Sequence, residues 1–154
     1  MKVLIVYDTA SPTRNTEKVA QTLGEVLREK GFEVDCKHVN DTDPAIAKDY
    51  DSILAGAPTH AFRATRPIMQ FLDRLSKNDL SGKLGAAFDT QLQGRLTGNA
   101  AKGIEKKLQS LGLRIVAPPL VTYVEGKMEI IHLKDGEMEK IRKYAEDLAK
   151  NLQT

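Results

Sequence analysis

Residues 2–16 read KVLIVYDTASPTRNT and divide into an apolar run and a loop rich in hydroxyl side chains. The apolar run, residues 2–7, is nearly all β-branched or aliphatic, which is typical of a strand buried on both faces of a parallel sheet. Apolar residues then recur at helical spacing from residue 16 to residue 30, and Gly31 supplies the residue type that commonly ends a helix. The stretch therefore predicts a strand, a loop and a helix.

The same alternation of short apolar runs and amphipathic segments covers the rest of the chain. Further strands are predicted at Phe32–Val39, Tyr50–Gly56, Leu84–Phe88 and from Leu113–Val116 onwards. Further helices are predicted at about Pro67–Leu75, Asn99–Leu111 and Asp135–Leu152. Because parallel strands need crossover connections, the pattern predicts an α/β fold with three layers: a doubly wound, open, parallel five-stranded sheet with helices on both faces.

The composition is typical of one soluble globular domain over residues 1–154. Hydrophobic residues make up 41% and charged residues 29%, which argues against disorder. The 23 Lys and Arg against 21 Asp and Glu give a net charge of +2, which gives little support for a nucleic-acid binder. No apolar run approaches the roughly 18–20 residues that span a bilayer, and residues 1–7 are too short for a signal peptide. We therefore expect a cytoplasmic protein.

The few cysteine and histidine residues exclude several classes of site. Cys36 is the single cysteine, which excludes an internal disulfide and fits a reducing cytoplasm. His38, His60 and His132 share no ligand spacing, so no metal site is predicted.

The fold predicts where a ligand would bind. In doubly wound sheets, ligands bind beyond the carboxyl ends of the strands, near the point where the strand order reverses. That rule selects four segments as loops to search: Asp8–Asn15, Ala57–Arg66, Asp89–Gly98 and Pro118–Gly126.

The first of these loops has the groups that bind phosphate. Hydroxyl and amide side chains gather at the start of the first helix, where exposed amides and the helix dipole favour an anion: Thr9, Ser11, Thr13, Asn15 and Thr16. The alternative is that threonine and asparagine serve here only as caps and turn formers. Arg14 either pairs with the phosphate or is a solvated surface residue. The loop lacks the glycine patterns of nucleoside-triphosphate and dinucleotide sites.

Three loops, in order and spacing, resemble those of the flavodoxin family. Residues 7–17, YDTASPTRNTE, look like the FMN-phosphate loop, and residues 56–60, GAPTH, are similar to the loop after strand three. Residues 86–90 and 99–108 resemble the fourth strand and the next helix, and the likeness runs from residue 1 to about 152. It implies the sheet order 2-1-3-4-5, a non-covalently bound FMN and low-potential electron transfer.

The resemblance also implies which residues bind FMN. Around the phosphate it places Thr9, Ser11, Thr13, Arg14, Asn15 and Thr16. Beside the ribityl chain and the ring it places Pro58, Thr59, His60, Ala61 and Phe62 on one side, and Asp89, Thr90, Gln91 and Gly94 on the other. Three alternatives stay open: Asp89 as a turn or cap, His60 as a loop histidine without a redox role, and Phe62 as a core anchor.

The sequence departs from the family pattern in several ways. The phosphate loop is about two residues longer than usual, Arg14 stands where glycine is typical, and the chain has no Trp. Typical flavodoxins are acidic, whereas the predicted site loops carry Arg14, Arg63, Arg66 and Arg95. A positive rim would favour an acidic partner or an anionic substrate.

We therefore expect a flavodoxin-like electron-transfer protein that carries electrons between redox partner proteins. On this interpretation it is a monomer or weak dimer without a catalytic residue of its own, and it binds neither nucleic acid nor membrane. One alternative is an FMN-dependent NAD(P)H or quinone reductase, since the arginines would suit a phosphorylated nicotinamide. The other is a binding module that kept the fold and lost FMN.

Overall fold

A computed structural model describes residues 1–94 and 98–153, in which eight strands and five α-helices are found. The strands are β1 (Lys2–Tyr7), β2 (Glu33–His38), β3 (Ser52–His60), β4 (Arg63–Ala64), β5 (Leu84–Leu92), β6 (Arg114–Ile115), β7 (Leu120–Glu125) and β8 (His132–Leu133). The helices are α1 (Asn15–Glu29), α2 (Arg66–Asp73), α3 (Lys77–Leu80), α4 (Ala100–Ser110) and α5 (Glu137–Leu152). Short 3₁₀ helices lie at Val39–Asp41, Pro44–Asp49 and Met128–Ile130.

The strands form one sheet in the order β2-β1-β3-β5-β7-β8. The pairs β1–β2, β1–β3, β3–β5 and β5–β7 are parallel, whereas β8 is antiparallel to β7. Because β1, β2, β3, β5 and β7 are the first to fifth major strands along the chain, the predicted order 2-1-3-4-5 is confirmed. The short strands β4 and β6 pair with β3 and β5.

The fifth predicted strand differs from the structure. Only Arg114–Ile115 pair with the start of β5, and the major strand begins at Leu120, inside the segment that the sequence analysis treated as a loop. Pro118 and Pro119 separate the two pieces. Proline has no amide hydrogen to donate to a sheet, so the chain leaves the sheet at these residues and rejoins it after them.

Helices cover both faces of the sheet, as predicted. On one face α1 and α5 bury side chains such as Leu23 and Leu148 against Ile5. On the other face α2 and α4 bury side chains such as Leu72 and Ile104. No helix within residues 1–94 and 98–153 combines the length and the apolar character needed to cross a membrane.

Gly56 shows how tightly neighbouring strands of the sheet are packed. A Cβ atom on Gly56 of β3 would lie 2.1 Å from the ring of Phe88 on β5, so only glycine fits there.

Cys36 lies on the edge strand β2 and is half-buried, and burial raises the pKa of its thiol to about 11.

Candidate functional site

A cavity of about 210 Å³ lies at the carboxyl ends of the parallel strands, and we call it the strand-end cavity. Its lining comes from the loop after β1, the start of α1, the carboxyl ends of β3, β5 and β7, and the segment before β8. The lining residues are Ala10, Ser11, Asn15, Thr16, Pro58, Thr59, His60, Thr90, Gln91, Leu92, Val124 and Ile131. This is the position at which doubly wound sheets bind their ligands.

The cavity brings together many of the residues predicted to bind the cofactor. Those that line it are Ser11, Asn15, Thr16, Pro58, Thr59, His60, Thr90 and Gln91. Other predicted residues are not among the lining residues: Thr9, Thr13, Arg14, Ala61, Phe62, Asp89 and Gly94. Arg95 lies outside the described residues.

The carbonyl of Ile131 is the most important contact that the sequence analysis missed. Asn15 Nδ2 donates to the Ile131 oxygen at 3.0 Å, and Thr13 Oγ1 donates to the same oxygen at 2.5 Å. Asn15 Nδ2 also donates to Thr13 Oγ1 at 3.1 Å, and Ser11 Oγ lies 3.3 Å from that oxygen. The donors expected at a phosphate are therefore already joined to each other and to the segment before β8. No local sequence pattern predicts a contact across 116 positions.

Two buried polar atoms, one in the loop before α1 and one on the first residue of α1, have no partner among the described residues. They are Thr9 Oγ1 and Asn15 Oδ1. A buried polar atom without a hydrogen bond is costly, so such atoms indicate a missing ligand or water. A hydroxyl can donate to a phosphate oxygen, and the amide oxygen can accept from a hydroxyl of a sugar-like chain. Leu92 and Val124 add apolar side chains to the same cavity.

Arg14 is exposed and makes an ion pair with Glu17. It precedes α1 in a left-handed conformation, with φ 54° and ψ 49°. Its side chain is 58% exposed and Nη2 lies 2.7 Å from Glu17 Oε1. The left-handed backbone explains why glycine is typical at this position, since glycine alone adopts it without a steric cost.

A pair of threonines joins the first loop to the centre of the sheet. The hydroxyl oxygens of Thr16 on α1 and Thr90 on β5 lie 2.8 Å apart, and both residues are buried. A second hydrogen bond links this loop to α2, because Thr65 Oγ1 at the start of α2 donates to Asp8 Oδ2. These two hydrogen bonds hold the loop before α1 against β5 and the start of α2.

The Asp89 side chain accepts a hydrogen bond from the first turn of α4, and Asp89 is not among the residues that line the strand-end cavity. It is fully buried, and its Oδ2 accepts from the Ala101 amide at 3.0 Å. The same oxygen accepts from Gln91 Nε2 at 3.0 Å and from Thr59 Oγ1 at 3.4 Å. Burial raises the pKa of the Asp89 carboxyl, and these hydrogen bonds oppose that rise. Asp89 thus positions two side chains that line the cavity.

The turn between β3 and β4 carries two residues in left-handed conformations. His60 pairs with Arg63, which leaves Ala61 and Phe62 as a two-residue loop with φ values of 48° and 72°, as in a type I′ turn. Phe62 is 62% exposed, so it is not the core anchor that the sequence analysis left open as an alternative. Its backbone packs against Gly98, where a Cβ atom would lie 2.3 Å from the Phe62 oxygen. His60 is exposed where this hairpin meets the cavity.

Within residues 1–94 and 98–153 no group of histidine, cysteine, aspartate and glutamate side chains could hold a metal ion. The strand-end cavity offers hydroxyl, amide and main-chain groups, together with apolar side chains.

Comparison with known proteins gives one family. A family model described as a flavodoxin domain matches residues 4–151. A flavodoxin of Clostridium saccharobutylicum is 33% identical over 91 residues, which cover 58% of this chain and only 56% of the Clostridium protein. An NAD(P)H dehydrogenase (quinone) of Azorhizobium caulinodans is 32% identical over 162 aligned positions, which cover 88% of this chain and 78% of that protein.

A solved structure shows the same fold. The crystal structure of oxidised flavodoxin 1 from Bacillus cereus superposes with a TM-score of 0.81 at 23% sequence identity. The superposition covers 97% of this chain and 98% of the Bacillus protein. The similarity therefore extends over the whole sheet and its flanking helices.

Proposed function

The chain belongs to the flavodoxin family, and from this premise we propose that it binds FMN non-covalently and carries low-potential electrons between redox partner proteins. The observation that carries the proposal lies at the start of α1, where Thr9 Oγ1 and Asn15 Oδ1 are buried without a partner in the part of the chain that the structure describes. A cytoplasmic location and a monomeric or weakly dimeric state belong to the same proposal.

We assign the FMN phosphate to the start of α1. Ser11 and Thr16 offer hydroxyls there, Thr9 offers its buried hydroxyl, and the amides of the first helical turn favour an anion. Asn15 Oδ1 is the acceptor for a ribityl hydroxyl. Thr13 keeps the loop in place through its bond to the Ile131 carbonyl.

We assign the ribityl chain and the ring to the rest of the cavity. Pro58, Thr59 and His60 line one side, and Thr90 and Gln91 line the other. Leu92 and Val124 supply the apolar surface that a flavin ring needs.

The chain's own residues would bind, orient and shield the cofactor. FMN, when bound, supplies the redox chemistry. The Thr16–Thr90 contact holds the phosphate loop against β5, and Asp89 fixes Thr59 and Gln91 on two walls of the cavity. His60 lies at the exposed mouth, where a partner would approach.

Titration with FMN tests the proposal. We expect shifted flavin absorption bands and quenched flavin fluorescence, with a dissociation constant on the order of micromolar or tighter, equivalent to about −8 kcal/mol. Riboflavin lacks the phosphate and is expected to bind at least about tenfold more weakly, since charged hydrogen bonds contribute roughly 1.5–3 kcal/mol each. Failure to bind micromolar FMN would leave the flavodoxin fold as a scaffold for another ligand.

Two substitutions at the start of α1 test the cofactor assignment: Thr16→Ala tests the phosphate contact and Asn15→Ala tests the ribityl contact. Thr16→Ala and Asn15→Ala are each expected to weaken FMN binding by roughly tenfold or more, because each removes a polar group at the start of α1. Thr22→Ala is the matched control, since the Thr22 hydroxyl donates to Lys18 within the same helix. Unchanged FMN affinity in both test variants would contradict the assignment.

The second candidate function is an FMN-dependent NAD(P)H or quinone reductase. The similarity to the Azorhizobium quinone dehydrogenase over 88% of this chain favours it. Steady-state oxidation of NADPH by the FMN-loaded protein, with menadione as the acceptor, separates the two functions. A carrier is expected to add nothing to the rate of free FMN, whereas turnover above that rate would identify an enzyme.

A further inference from the structure

A second depression lies beside the strand-end cavity, between the β3–β4 hairpin and α4. It has a volume of about 460 Å³, and we call it the arginine groove; its lining includes Phe62, Arg63, Arg66, Met69, Asn99 and Gly103. We infer that the arginine groove docks an acidic segment of the protein that exchanges electrons with this one. The inference deepens the proposed function and rests on it, because it specifies the chemistry of the redox partner.

The charge of the groove is positive and uncompensated. Arg63 and Arg66 are exposed, and within residues 1–94 and 98–153 their guanidinium groups make neither an ion pair nor a hydrogen bond. No carboxylate is among the lining residues of the groove. Elsewhere Arg14 pairs with Glu17 at 2.7 Å. Two unpaired guanidinium groups on one open surface favour carboxylates of a partner, which arginine binds in a bidentate geometry.

Phe62 adds an apolar contact that packing inside the protein does not explain. The ring belongs to a residue that is 62% exposed and held at φ 72°, a conformation that is unfavourable for any residue with a Cβ atom. Met69 beside it is only half-buried. Aromatic and arginine side chains are the types that contribute most to protein–protein interfaces. This mixture fits a peptide segment with both acidic and apolar side chains better than a single small anion.

The groove also lies beside the strand-end cavity, to which we assign the flavin. Phe62 and His60 belong to the same hairpin, and His60 lines the strand-end cavity. Arg63 and Arg66 border a further open depression that reaches Asp8 and His60. A segment bound in the arginine groove would therefore contact the hairpin that forms one wall of the cavity.

Backbone amide spectra in solution test the inference directly. The probe is a short peptide of alternating glutamate and leucine, added at low ionic strength to the ¹⁵N-labelled protein, first without and then with FMN. We expect saturable shifts of amides in residues 60–66 and 98–103, and no such shifts with a lysine–leucine peptide. Because exposed charges are screened by salt, raising the salt concentration should weaken the binding.

Matched variants identify the groups responsible. The double variant Arg63→Gln, Arg66→Gln is expected to weaken peptide binding at least about tenfold, and Phe62→Ser is expected to weaken it as well. Arg114→Gln on β6 is the control, because it removes an exposed charge beside the amino end of β5, at the opposite end of the sheet. The dispersion of the amide signals in each variant's own spectrum tests whether that variant is folded.

The possible results separate this inference from the proposed function. Equal peptide affinity in the double variant and the parent would overturn the inference, as would shifts centred elsewhere. Shifts of the same amides by NADPH but not by the peptide would assign the groove to a nucleotide and also overturn it. FMN binding without peptide binding would overturn the docking surface alone. Peptide binding without FMN binding would refute the proposed cofactor while supporting the surface as a site for acidic proteins.

Discussion

Arg14 holds a left-handed conformation that costs an L-residue about 1–2 kcal/mol, and its exposed ion pair with Glu17 returns less than about 1 kcal/mol. We therefore expect Arg14→Gly to raise the free energy of unfolding by up to about 1 kcal/mol, after the extra backbone entropy of glycine is subtracted. Urea denaturation measures the change. Arg14→Ala keeps the strain and loses the ion pair, so it should not be stabilised; equal stability of the two variants would contradict the strain argument.

Asp89 is expected to make stability depend on pH. In the unfolded chain the carboxyl ionises near its usual pKa of about 3.9, whereas burial raises the pKa in the folded protein. The folded state therefore binds more protons between these two pKa values. The stability that the protonated Asp89 carboxyl contributes is fully present below about pH 4, and it is lost as the pH rises through the pKa of Asp89 in the folded protein.

The variant Asp89→Asn removes this titration and isolates its effect. Between about pH 4 and pH 8, urea denaturation should show the variant gaining stability relative to the parent as the pH rises. Asp73→Asn is the control, because Asp73 is exposed and pairs with Lys107. A stability difference between Asp89→Asn and the parent that stays constant over this range would show that Asp89 does not titrate there.

The β3–β4 hairpin is the element whose local sequence conflicts most with its conformation. A two-residue turn with positive φ at both positions favours Asn-Gly, yet Ala61 and Phe62 stand there. Replacing them together by Asn and Gly is expected to raise the free energy of unfolding by about 1–2 kcal/mol, because the strain at both positions is relieved. Thermal or urea denaturation measures the gain. Phe62→Ala keeps the strained backbone and should show no gain; an Asn-Gly variant no more stable than the parent would contradict this account.

The sequence predicts the major elements of the fold and the place of the site, but it does not predict this hairpin. The major strands and helices follow from apolar periodicity, and the position of the site follows from the topology, because ligands bind at the strand ends. The hairpin was not predicted because Ala61 and Phe62 carry no turn signal. The contact of Ile131 with Thr13 and Asn15 was not predicted because it depends on tertiary packing between distant segments.

At the scale of the whole molecule, the cavity joins segments from four strands, so a bound cofactor should stabilise the entire domain. With FMN at about a hundredfold excess over its dissociation constant, the free energy of unfolding is expected to rise by about 2.7 kcal/mol. Thermal unfolding with and without FMN measures the shift, which should be several degrees for a chain of this size. Asn15→Ala should show a smaller shift at the same FMN concentration, and Thr22→Ala should match the parent. An unfolding midpoint that FMN does not move would show that the folded protein does not bind FMN.

Cys36 makes the edge of the sheet accessible to a chemical measurement. Only the thiolate reacts with alkylating reagents, and a pKa of about 11 leaves very little thiolate at neutral pH while β2 stays paired with β1. Alkylation of the native protein is therefore expected to be slow, and openings that release the thiol from its buried surroundings are expected to speed it. The ratio of its rate to that of the unfolded chain gives the free energy of those openings. Since the chain has one cysteine, the mass that the alkyl group adds to the intact protein reports the stability of this edge of the sheet.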